Sequence, residues 1–513
     1  MSDTASHVLD GTRRLRELDS LSSGATVDLL VIGGGVTGTG AALDAAARGL
    51  KVVLVEAHDW AFGTSRWSSK LVHGGLRYLA SGRIGVARES ALERGILMNT
   101  TAPHLVHPLA TVVPLGPSMT RRQTALTHIG FIAGDALRLS ARTSSDLLPR
   151  TRRVSAAETR RLAPAVAAHG LRGGLVAYDG QLIDDARLVV TLARTAAEHG
   201  ATVLTRVRAE NVTGTSARLV DTLGGTSLVL RARAVINAAG VWAGAVDPSV
   251  KLRPSRGTHL VFAASTFGNP CASITVPVPG SISRFVFAMP EQLGRVYLGL
   301  TDEDAPGPIP DEPVAADGEI TFLLDTINRS LGRSLTRADI LGTYSGLRPL
   351  IDVGGGATSD VSRKHAVTIG PNGVISVIGG KLTTYRKMAE DVVDRAVSEA
   401  GLTAAACRTK TTPLVGAPSR RDSDSVDGLP PSLVARHGGL SRAVVETATV
   451  SDALAPIADG IDVTRAEIEY AVTHEGALDA ADVLDRRTRI GLVRPDADQA
   501  RAAIQEIVMA ALG

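Results

Sequence analysis

The sequence predicts an α/β protein that combines a parallel sheet, a region of antiparallel strands and a C-terminal helical region. Three observations support this fold class: a buried strand–helix–strand unit near the N-terminus, a hairpin pattern in the middle of the chain, and a mostly helical stretch after a polar linker. Strands that alternate with helices indicate parallel pairing, whereas short runs joined by tight turns indicate antiparallel pairing. The chain of 513 residues is long enough for several domains.

The strand–helix–strand unit covers Val27 to Glu56. The apolar run VDLLVIG predicts a strand buried on both faces, and LKVVLVE predicts a second one. Between them, the Ala-rich segment after GGGVTG predicts a helix that ends at Gly49. Further strands of this sheet are predicted at ATVLTRVRAENV, RARAVINAAG and VISVIGG, and a capped amphipathic helix begins at Asp184.

The middle of the chain has a different pattern. THLVFA and the pair RFVFAMP and VYLGL, joined by EQLGR, predict antiparallel strands and a hairpin. The polar stretch TTPLVGAPSRRDSDSVDGLPPS predicts a linker into a helical domain. We therefore predict a discontinuous nucleotide-binding domain (residues 1–100, 165–250 and 345–405), a substrate-binding domain (101–164 and 251–344) and a C-terminal helical domain (406–513).

The bulk composition excludes several classes of protein. The formal net charge is only +3, so no nucleic-acid partner is expected. The first residues lack the apolar core of a secretory signal, and no apolar run is long enough to span a bilayer. Cys271 and Cys407 are the only cysteines, and their separation predicts neither a disulfide framework nor a metal site. These features indicate a cytoplasmic protein that is at most peripherally attached to a membrane.

A dinucleotide site is predicted at the first strand-to-helix turn. Gly33, Gly35 and Gly38 form the pattern G-x-G-x-x-G, which permits a tight turn, close approach of a pyrophosphate and close helix–strand packing. Glu56 ends the second strand and is suited to accept hydrogen bonds from ribose hydroxyls. A bare glycine pattern is often only a turn, but the strand, helix and acid in place here favour a Rossmann-type domain.

Two later segments favour FAD over NAD as the dinucleotide. RARAVINAAGVWAG ends a strand in Ala-Ala-Gly, where small residues let the chain lie against a cofactor. VIGGKLTTYRKMAED ends another strand in Gly-Gly and opens a helix. The N-terminal dipole of that helix, with Lys381, is suited to stabilise an anionic reduced flavin.

The motifs as a set resemble a known family. GGGVTG, GTSRWSSKLVHGGLRYL, VINAAGVWA, SRGTHLVF, YSGLRPL and IGGKLTTYRKMAED resemble, in order and spacing, the FAD-dependent, quinone-linked glycerol-3-phosphate dehydrogenases. CRTKTTPLVG and DVLDRRTRIGL resemble the C-terminal domain of that family, so the resemblance covers nearly the whole chain. It implies oxidation of sn-glycerol 3-phosphate to dihydroxyacetone phosphate by hydride transfer to FAD, with electrons passed to the membrane quinone pool.

The resemblance also implies the site residues. Phosphate and substrate contacts fall on Arg77, Tyr78, Arg348 and Lys381, and His259 is the implied base; His259, Arg348 and Lys381 are thus the implied catalytic residues. Since His259 alternates with apolar residues, a hydrogen-bonded core histidine is the alternative. The implied cofactor contacts are Gly33, Gly35, Gly38, Glu56, Ser68, Ser69, Lys70, Gly74, Gly75, Ala239, Gly240, Gly380, Lys381, Leu382 and Thr383.

One segment and one departure bear on this resemblance. Ser118 to Arg142 is apolar in its middle and flanked by arginine, as an interfacial helix on the cytoplasmic face of a membrane would be; a helix packed on the sheet is the alternative. Arg66 and Trp67 stand where many family members have small residues, which puts flavin contacts of Thr64 and Ser65 in question. His73, beside two glycines, is interpreted as structural.

Other functions stay open at this point. A glycerol-3-phosphate oxidase would use oxygen in place of quinone, and a flavin amine or amino-acid oxidase would hold a carboxylate without the third cation. An NAD-dependent dehydrogenase would not need the Ala-Ala-Gly and Gly-Gly-Lys segments, and a non-catalytic flavin-fold subunit would not need the cationic set. A homodimer is also left open.

Overall fold

The computed structural model describes residues 6–80, 82–117, 119–279, 284–352, 364–418 and 426–513, without the side chains of Arg77 and Ala80. In chain order the strands are β1 (Val27–Ile32), β2 (Val52–Val55), β3 (Leu71–Val72), β4 (Val106–Pro114), β5 (Arg152–Val154), β6 (Gly174–Leu182), β7 (Thr202–Leu204), β8 (Val207–Thr213), β9 (Ser216–Asp221), β10 (Ser227–Asn237), β11 (Leu252–Ala263), β12 (Ser273–Pro277), β13 (Phe285–Glu291), β14 (Arg295–Gly299), β15 (Glu303–Asp304), β16 (Gly342–Ile351), β17 (Ala366–Ile369), β18 (Ile375–Ile378), β19 (Pro456–Ala458) and β20 (Ile461–Thr464).

The α-helices are, in chain order, α1 (Gly11–Ser22), α2 (Val36–Ala47), α3 (Leu76–Ala80), α4 (Ile84–Ile96), α5 (Arg121–Ser140), α6 (Ala156–Leu162), α7 (Asp185–Glu198), α8 (Ala243–Val246), α9 (Asp317–Asn328), α10 (Tyr385–Glu399), α11 (Pro431–His437), α12 (Ser441–Glu446), α13 (Arg465–Thr473), α14 (Ala480–Asp482) and α15 (Arg494–Leu512). Within the described ranges, no helix is both long and apolar enough to cross a bilayer.

The first sheet contains a parallel core in the order β18-β10-β1-β2-β7. β17 pairs antiparallel at the outer edge of β18, and the β8–β9 hairpin pairs with the first half of β10. The predicted strand–helix–strand unit is confirmed as β1, α2 and β2. α2 packs between α7 and α10 on one face of this sheet, where alanines of α2 let the three helices approach closely.

One predicted strand of this sheet is two strands in the structure. The segment ATVLTRVRAENV forms β7, which pairs parallel with β2, and β8, which turns away into the hairpin with β9. The break falls at Arg206, whose φ of +57° lies in the left-handed region. Arg206 is held there because its guanidinium bonds Asp479 and Asp482 of the C-terminal domain.

The second sheet has the order β15-β11-β14-β13-β12-β4-β6-β3, with β16 on β11 and β5 on β6. Its pairs are antiparallel except for β12 and β4. The predicted β13–β14 hairpin is confirmed. β6 and β16 belong to this sheet, although the predicted boundaries at 165 and 345 placed β6 and most of β16 in the nucleotide-binding domain. In the described chain β6 is followed by α7 and β16 by β17, both in the first sheet's domain, so composition alone did not mark the change.

Separate apolar cores support these layers. α9 covers the second sheet through Leu323 and Ile327, which pack on Phe262 and Leu298. The C-terminal domain, α11 to α15 with the β19–β20 hairpin, has its own core. The predicted linker before it lies partly outside the described residues, which omit 419–425.

Candidate active site

A cavity of about 1160 Å³ opens between the two sheets, at the carboxyl ends of the parallel strands. This is the edge where open α/β sheets bind ligands. The predicted site residues that line it are Gly33, Gly35, Glu56, Ser68, Ser69, Gly74, Gly75, Tyr78, Ala239, Gly240, His259, Arg348, Gly380, Lys381, Leu382 and Thr383. Residues from seven separate segments of the chain therefore meet at one cavity.

The glycine-rich turn borders one end of the cavity with bare backbone. Gly33 has φ +116°, and a Cβ there would lie 2.6 Å from the carbonyl oxygen of Ala238. A Cβ on Gly38 would lie 1.9 Å from the carbonyl oxygen of Gly33, so Gly38 packs the turn on α2 and does not itself line the cavity. Gly35 is the N-cap residue of α2, whose first amides therefore lie beside the cavity.

Glu56 lies at the end of β2 on the same side of the cavity. Its carboxylate accepts hydrogen bonds from the backbone amides of Gly34 (2.6 Å) and His58 (2.9 Å). Burial raises the pKa of Glu56, an effect that the two amide donors only partly offset. The carboxylate is thus fixed against the glycine turn, where an acceptor for hydroxyl groups is needed.

The ends of β10 and β18 form the wall between the glycine turn and the second sheet. Gly240 (φ +56°), Gly379 (φ +77°) and Gly380 (φ +80°) adopt left-handed backbone that favours glycine. A 3₁₀ turn, Leu382–Thr384, follows and leads into α10. The amide end of this helical segment faces the cavity through Leu382 and Thr383.

Cationic side chains gather at the other end of the cavity. Arg348 on β16 bonds the Ser255 hydroxyl (3.1 Å) and the Thr301 carbonyl (3.2 Å), and its Nη1 lies 3.3 Å from an Asp302 oxygen. A Cβ on Gly257 would lie 2.2 Å from Nη2 of Arg348, so only glycine lets this guanidinium lie across β11.

Lys381 and Tyr78 lie together beside this end. The Lys381 ammonium donates to the Ser90 hydroxyl (2.7 Å) and lies 3.9 Å from the centre of the Tyr78 ring. Both side chains line the cavity. Arg77 follows Leu76 at the start of α3, and its side chain lies outside the described structure.

His259 projects from β11 toward the cavity but is almost fully buried, at 1% exposure. Its Nε2 lies 2.9 Å from the Ser69 hydroxyl, and its ring stacks on Tyr344 with centroids 4.6 Å apart. Burial, followed by the charges of Lys70 and Arg348, lowers the pKa of His259 well below its ordinary value. The imidazole is therefore neutral at pH 7, as a general base must be.

Comparison with known proteins matches this site to one family. Residues 28–386 match the family model for FAD dependent oxidoreductases, and residues 407–513 match that for the C-terminal domain of alpha-glycerophosphate oxidase. The glycerol-3-phosphate dehydrogenase 1 of Mycobacterium tuberculosis H37Rv is 61% identical over 98% of this chain and 99% of its own. The chain belongs to the FAD-dependent glycerol-3-phosphate dehydrogenase family.

More distant relatives agree with that membership. The aerobic glycerol-3-phosphate dehydrogenase of Staphylococcus aureus is 36% identical over 76% of this chain and 71% of its own. The glycerol-3-phosphate dehydrogenase of Bacillus halodurans, whose structure contains FAD, superposes with a TM-score of 0.75 at 25% identity and covers 98% of this chain and 94% of that one. The predicted recognition, fold class and FAD cofactor are thereby confirmed.

The residues present fit FAD, the cofactor of this dehydrogenase family. The glycine cradle has no room for a Cβ at Gly33 or Gly38, while the cavity beside it is open from Glu56 to Lys381. Glu56 and the glycine turn would hold the nucleotide part of FAD, and the segment at the end of β18 would hold its flavin. Nine predicted contacts of the Gly33–Glu56 and Ala239–Thr383 segments line the cavity, and they are Gly33, Gly35, Glu56, Ala239, Gly240, Gly380, Lys381, Leu382 and Thr383.

Lys70 differs from its predicted role at the cofactor. It is 1% exposed and does not line the cavity, because its ammonium turns inward to Asp185 (3.2 Å) and the Ser68 carbonyl (3.2 Å). The Ser68 hydroxyl also donates to Asp185, at 2.7 Å. Asp185 follows the predicted N-cap of α7, and nothing in its sequence context marked it as a partner for this segment.

His73, interpreted from the sequence as structural, lies at the cavity beside Gly74 and Gly75. Nδ1 of His73 lies 3.2 Å from Asp179 Oδ2, and its side chain is 46% exposed and lines the cavity. Asp179 also accepts from the Gly74 amide (2.9 Å) and from Arg94 (2.6 Å). Burial raises the pKa of Asp179, but Arg94 and His73 outweigh it and hold that pKa below its ordinary value. A histidine oriented by a carboxylate and open to the cavity is a second candidate base.

The Arg66–Trp67 departure has a structural explanation. Arg66 is fully buried beneath the site, where it faces Glu312 and Asp485, and Trp67 stacks on Tyr344. The bulk of this pair therefore points away from the glycine turn. Ser65 lies beside the glycine turn, where its hydroxyl accepts a hydrogen bond from the Val36 amide at 2.9 Å.

Proposed function

We propose that the protein oxidises sn-glycerol 3-phosphate to dihydroxyacetone phosphate. The observation that carries the proposal is one continuous cavity with a dinucleotide cradle at Gly33–Glu56 and a cationic end at Arg348 and Lys381. The names of the relatives, all glycerol-3-phosphate dehydrogenases, support the same substrate. When bound, FAD accepts a hydride from carbon 2 of the substrate.

The cationic end binds the phosphate in this proposal. Arg348 is held by Ser255, Asp302 and Thr301, so its planar guanidinium is oriented before the substrate arrives. Lys381 adds a second cation, and Arg77 and Tyr78 are proposed to complete the group. Fixing the phosphate aligns the reacting carbon, which is where much of the rate enhancement of such a reaction arises. Two or three cations suit a phosphate dianion, whereas the carboxylate of an amino acid needs fewer.

The base that removes the hydroxyl proton is proposed to be His259, with His73 as its competitor. His259 is neutral and bonded to Ser69 through Nε2, and within the described residues its Nδ1 has no hydrogen-bond partner. His73 is more exposed and is oriented by Asp179. Replacing each by asparagine separates them. The base variant should lose kcat by about 10²–10⁴-fold with little change in KM, and the other should not.

The experiment for the proposal is an anaerobic titration of the purified holoenzyme with sn-glycerol 3-phosphate. Bleaching of the flavin absorption bands is expected, and glycerol at the same concentrations should leave the bands unchanged because it lacks the phosphate. If the flavin stays oxidised with glycerol 3-phosphate but bleaches with an amino acid, the proposal is contradicted and the amine or amino-acid oxidase alternative is supported. Arg348→Lys is the matched variant. It keeps the charge but loses the bidentate fork, so KM should rise by about tenfold or more.

We further propose that the electrons pass to a quinone at the membrane surface. Support comes from α5, which packs its Phe131 and Leu137 side inward against α3 and α4 and leaves four apolar side chains exposed. These are Leu126 (51%), Ile129 (63%), Ile132 (53%) and Leu139 (63%). One side of α5 therefore packs inward, and within the described residues these four side chains on its other side are left exposed, which supports the interfacial alternative.

Two further features support contact with lipid at α5. Exposed arginines lie on α4 and α5 or next to their ends, and these are Arg83, Arg88, Arg121, Arg122 and Arg142. Leu126, Ile129 and Ala133 of the same helix also line the cavity, so an apolar route leads from this face toward the flavin end. An amphipathic helix with a cationic border binds anionic bilayers by burying its apolar side.

Vesicle flotation tests this part of the proposal. The holoenzyme should float with vesicles that contain anionic lipid and stay behind with purely zwitterionic ones. The double variant Ile129→Glu/Ile132→Glu should abolish flotation. Val314, which is 75% exposed and lies outside α5, supplies the control, and Val314→Glu should leave flotation unchanged. Rapid reoxidation of the reduced flavin by oxygen, with no preference for a quinone analogue, would instead support the oxidase alternative.

A further inference from the structure

The C-terminal domain inserts a run of buried arginines beneath the cavity. The segment Asp485–Arg489 contributes Arg486, Arg487 and Arg489, all of them buried. Arg486 and Arg487 both pair with Asp59 of the first sheet's domain, at 2.7 and 2.9 Å. Burying several cations is costly unless each is paired, and Asp59 supplies that pairing for Arg486 and Arg487.

Arg489 differs from its two neighbours in what it contacts. It is fully buried, and its Nη2 donates to the backbone carbonyl of Arg66 at 2.6 Å. Its guanidinium lies 5.4 Å from the centre of the Trp67 ring, and its Nε lies 3.8 Å from an Asp184 oxygen. Two of these contacts, those with Arg66 and Trp67, fall on the connection between β2 and β3.

That connection, residues 64–70, carries several of the contacts that shape the cavity. Ser65 accepts from the Val36 amide at the start of α2, and Thr64 donates to the Leu347 carbonyl. Ser69 bonds His259, and the Ser68 carbonyl accepts from the Tyr344 hydroxyl (3.1 Å). Tyr344 is the ring on which His259 stacks. The position of residues 64–70 thus sets the orientation of the His259 imidazole.

Asp185 and Arg489 hold this connection from two sides. Asp185 accepts from the amide and hydroxyl of Ser68 and from the Lys70 ammonium. Arg489 holds the Arg66 carbonyl, two residues earlier, from the C-terminal domain. Since these are hydrogen bonds to charged groups in a buried region, they are stronger than neutral ones.

We propose that Arg489 is a positioning residue through which the C-terminal domain fixes residues 64–70 and so the Ser69–His259 pair. The proposal deepens the proposed function and rests on it for the part that concerns His259. An arginine is required because one guanidinium donates to Arg66 and to the Asp485 carbonyl while its plane packs near Trp67. A lysine keeps the charge but has no planar fork.

The test compares Arg489→Lys with Arg487→Lys in the FAD-loaded full-length protein. Arg487 lies in the same buried segment and bonds Asp59 and the Glu475 carbonyl. Within the described structure its side chain has no hydrogen-bond partner among residues 64–70. Hydrogen–deuterium exchange is followed for the peptide that covers residues 64–72. We expect uptake there to rise about threefold or more in Arg489→Lys, because local opening becomes easier, and to stay near wild type in Arg487→Lys.

The second readout is the rate constant of flavin reduction by sn-glycerol 3-phosphate. In Arg489→Lys it should fall by about tenfold or more, with the substrate Kd changed much less, since misplacement near the reacting atoms costs rate rather than affinity. Its pH profile should also move, because the hydrogen bond of His259 is disturbed. Arg487→Lys should keep both the rate and the profile, even if its melting temperature falls.

The outcomes separate this proposal from the proposed function. Wild-type uptake at 64–72 in a folded Arg489→Lys protein would overturn the positioning role whatever the substrate is. Uptake could rise in Arg489→Lys while glycerol 3-phosphate reduces the flavin of neither the wild type nor the variants. That result would support the positioning role of Arg489 and exclude the proposed substrate. If Arg489→Lys does not fold, Trp67→Leu removes the ring between Arg489 and Tyr344; unchanged uptake and rate in that variant would also overturn the proposal.

Discussion

The Ser69 hydroxyl lies 2.9 Å from Nε2 of His259, on the side of the imidazole that faces the β2–β3 connection. This contact joins the first sheet's domain to β11 of the second sheet at the cavity wall. It also fixes which imidazole nitrogen is engaged by the protein. The His259 imidazole is thus buried and hydrogen-bonded, and it also lines the cavity.

Ser69→Ala should lower kcat by about tenfold with a smaller effect on KM. The change leaves Nε2 of His259 without its partner, so the ring loses its fixed orientation but the phosphate contacts stay. Steady-state kinetics with an artificial acceptor would measure it. Ser249→Ala, which removes a partly buried hydroxyl bonded to Asp247 outside the cavity, is the control and should have no effect. A change in KM alone would contradict the assignment.

The pH dependence of flavin reduction should show an acidic limb below pH 6.5. His259 must be neutral to accept a proton, and burial together with Lys70 and Arg348 holds its pKa well below 6.5. Activity is therefore expected to be flat through neutral pH and to fall only as the pH drops toward the lowered pKa. Stopped-flow reduction between pH 5 and 8 would show this. Loss of the reduction rate in His73→Asn, with His259→Asn unaffected, would assign the base to His73.

Glu475→Gln should destabilise the protein by about 3–5 kcal/mol at neutral pH, because it leaves buried cations without their counter-charge. Burial opposes ionisation, but Arg187, His437 and Arg194 outweigh it and lower the pKa of Glu475 to about 2. The stabilisation is present above pH 4.5 and is lost as the pH falls toward 2. Thermal unfolding would measure it.

The surface pair Arg152–Glu158 supplies the control for that experiment. Glu158 is partly exposed, and its pair with Arg152 spans 2.6 Å. Glu158→Gln should change stability by less than about 1 kcal/mol. Equal losses of stability in Glu475→Gln and Glu158→Gln would show that burial does not make the Glu475 carboxylate more stabilising than a surface one.

His104 should make the fold sensitive to mild acid. Burial first, and then the nearby His437 and Arg187, lower the pKa of His104 to about 3. A histidine with a lowered folded-state pKa contributes stability that is complete above 6.5 and declines as the pH falls toward 3. At pH 5 the loss is about 2 kcal/mol. The melting temperature of wild type should thus fall more between pH 7 and pH 5 than that of His104→Gln, and parallel falls would contradict this.

Gly38→Ala should release the flavin. Its Cβ would lie 1.9 Å from the Gly33 carbonyl oxygen, so the turn must shift and its backbone can no longer line the cavity in the same way. Flavin content after purification would measure the loss. Gly318→Ala, in α9 with no atom within 4 Å of the added Cβ, is the control and should retain FAD while gaining up to about 1 kcal/mol. Full flavin content in Gly38→Ala would contradict the expected role.

Much of the fold was predictable because local signals agreed with it. The glycine spacing, the apolar strands and the acid at Glu56 all describe one strand–helix–strand unit, and the structure forms it at β1, α2 and β2. The β13–β14 hairpin was equally clear from alternation and a tight turn. Local patterns such as these depend on neighbours in the chain, which a sequence displays directly.

The parts that were missed depend on residues far apart in the chain. Lys70 turns to Asp185 and His73 turns to Asp179, and neither acid carries a local mark of its partner. Arg66 is buried against Asp485, more than four hundred residues later, so its bulk was interpreted as an obstacle to the flavin. The strand break at Arg206 has the same origin, since the C-terminal domain supplies the two aspartates that hold it.

The chain alternates between the two sheets, and this alternation determines what happens when the chain is cleaved. β1 and β2 lie in the first sheet, β3 to β6 in the second, β7 to β10 in the first again, and β11 to β16 in the second. The connections between these groups contain Ser69, Asp185 and Gly240, so catalytic geometry is assembled where the chain changes sheet. A single proteolytic nick would therefore leave two interlocked fragments, and neither half expressed alone would contain a complete cavity.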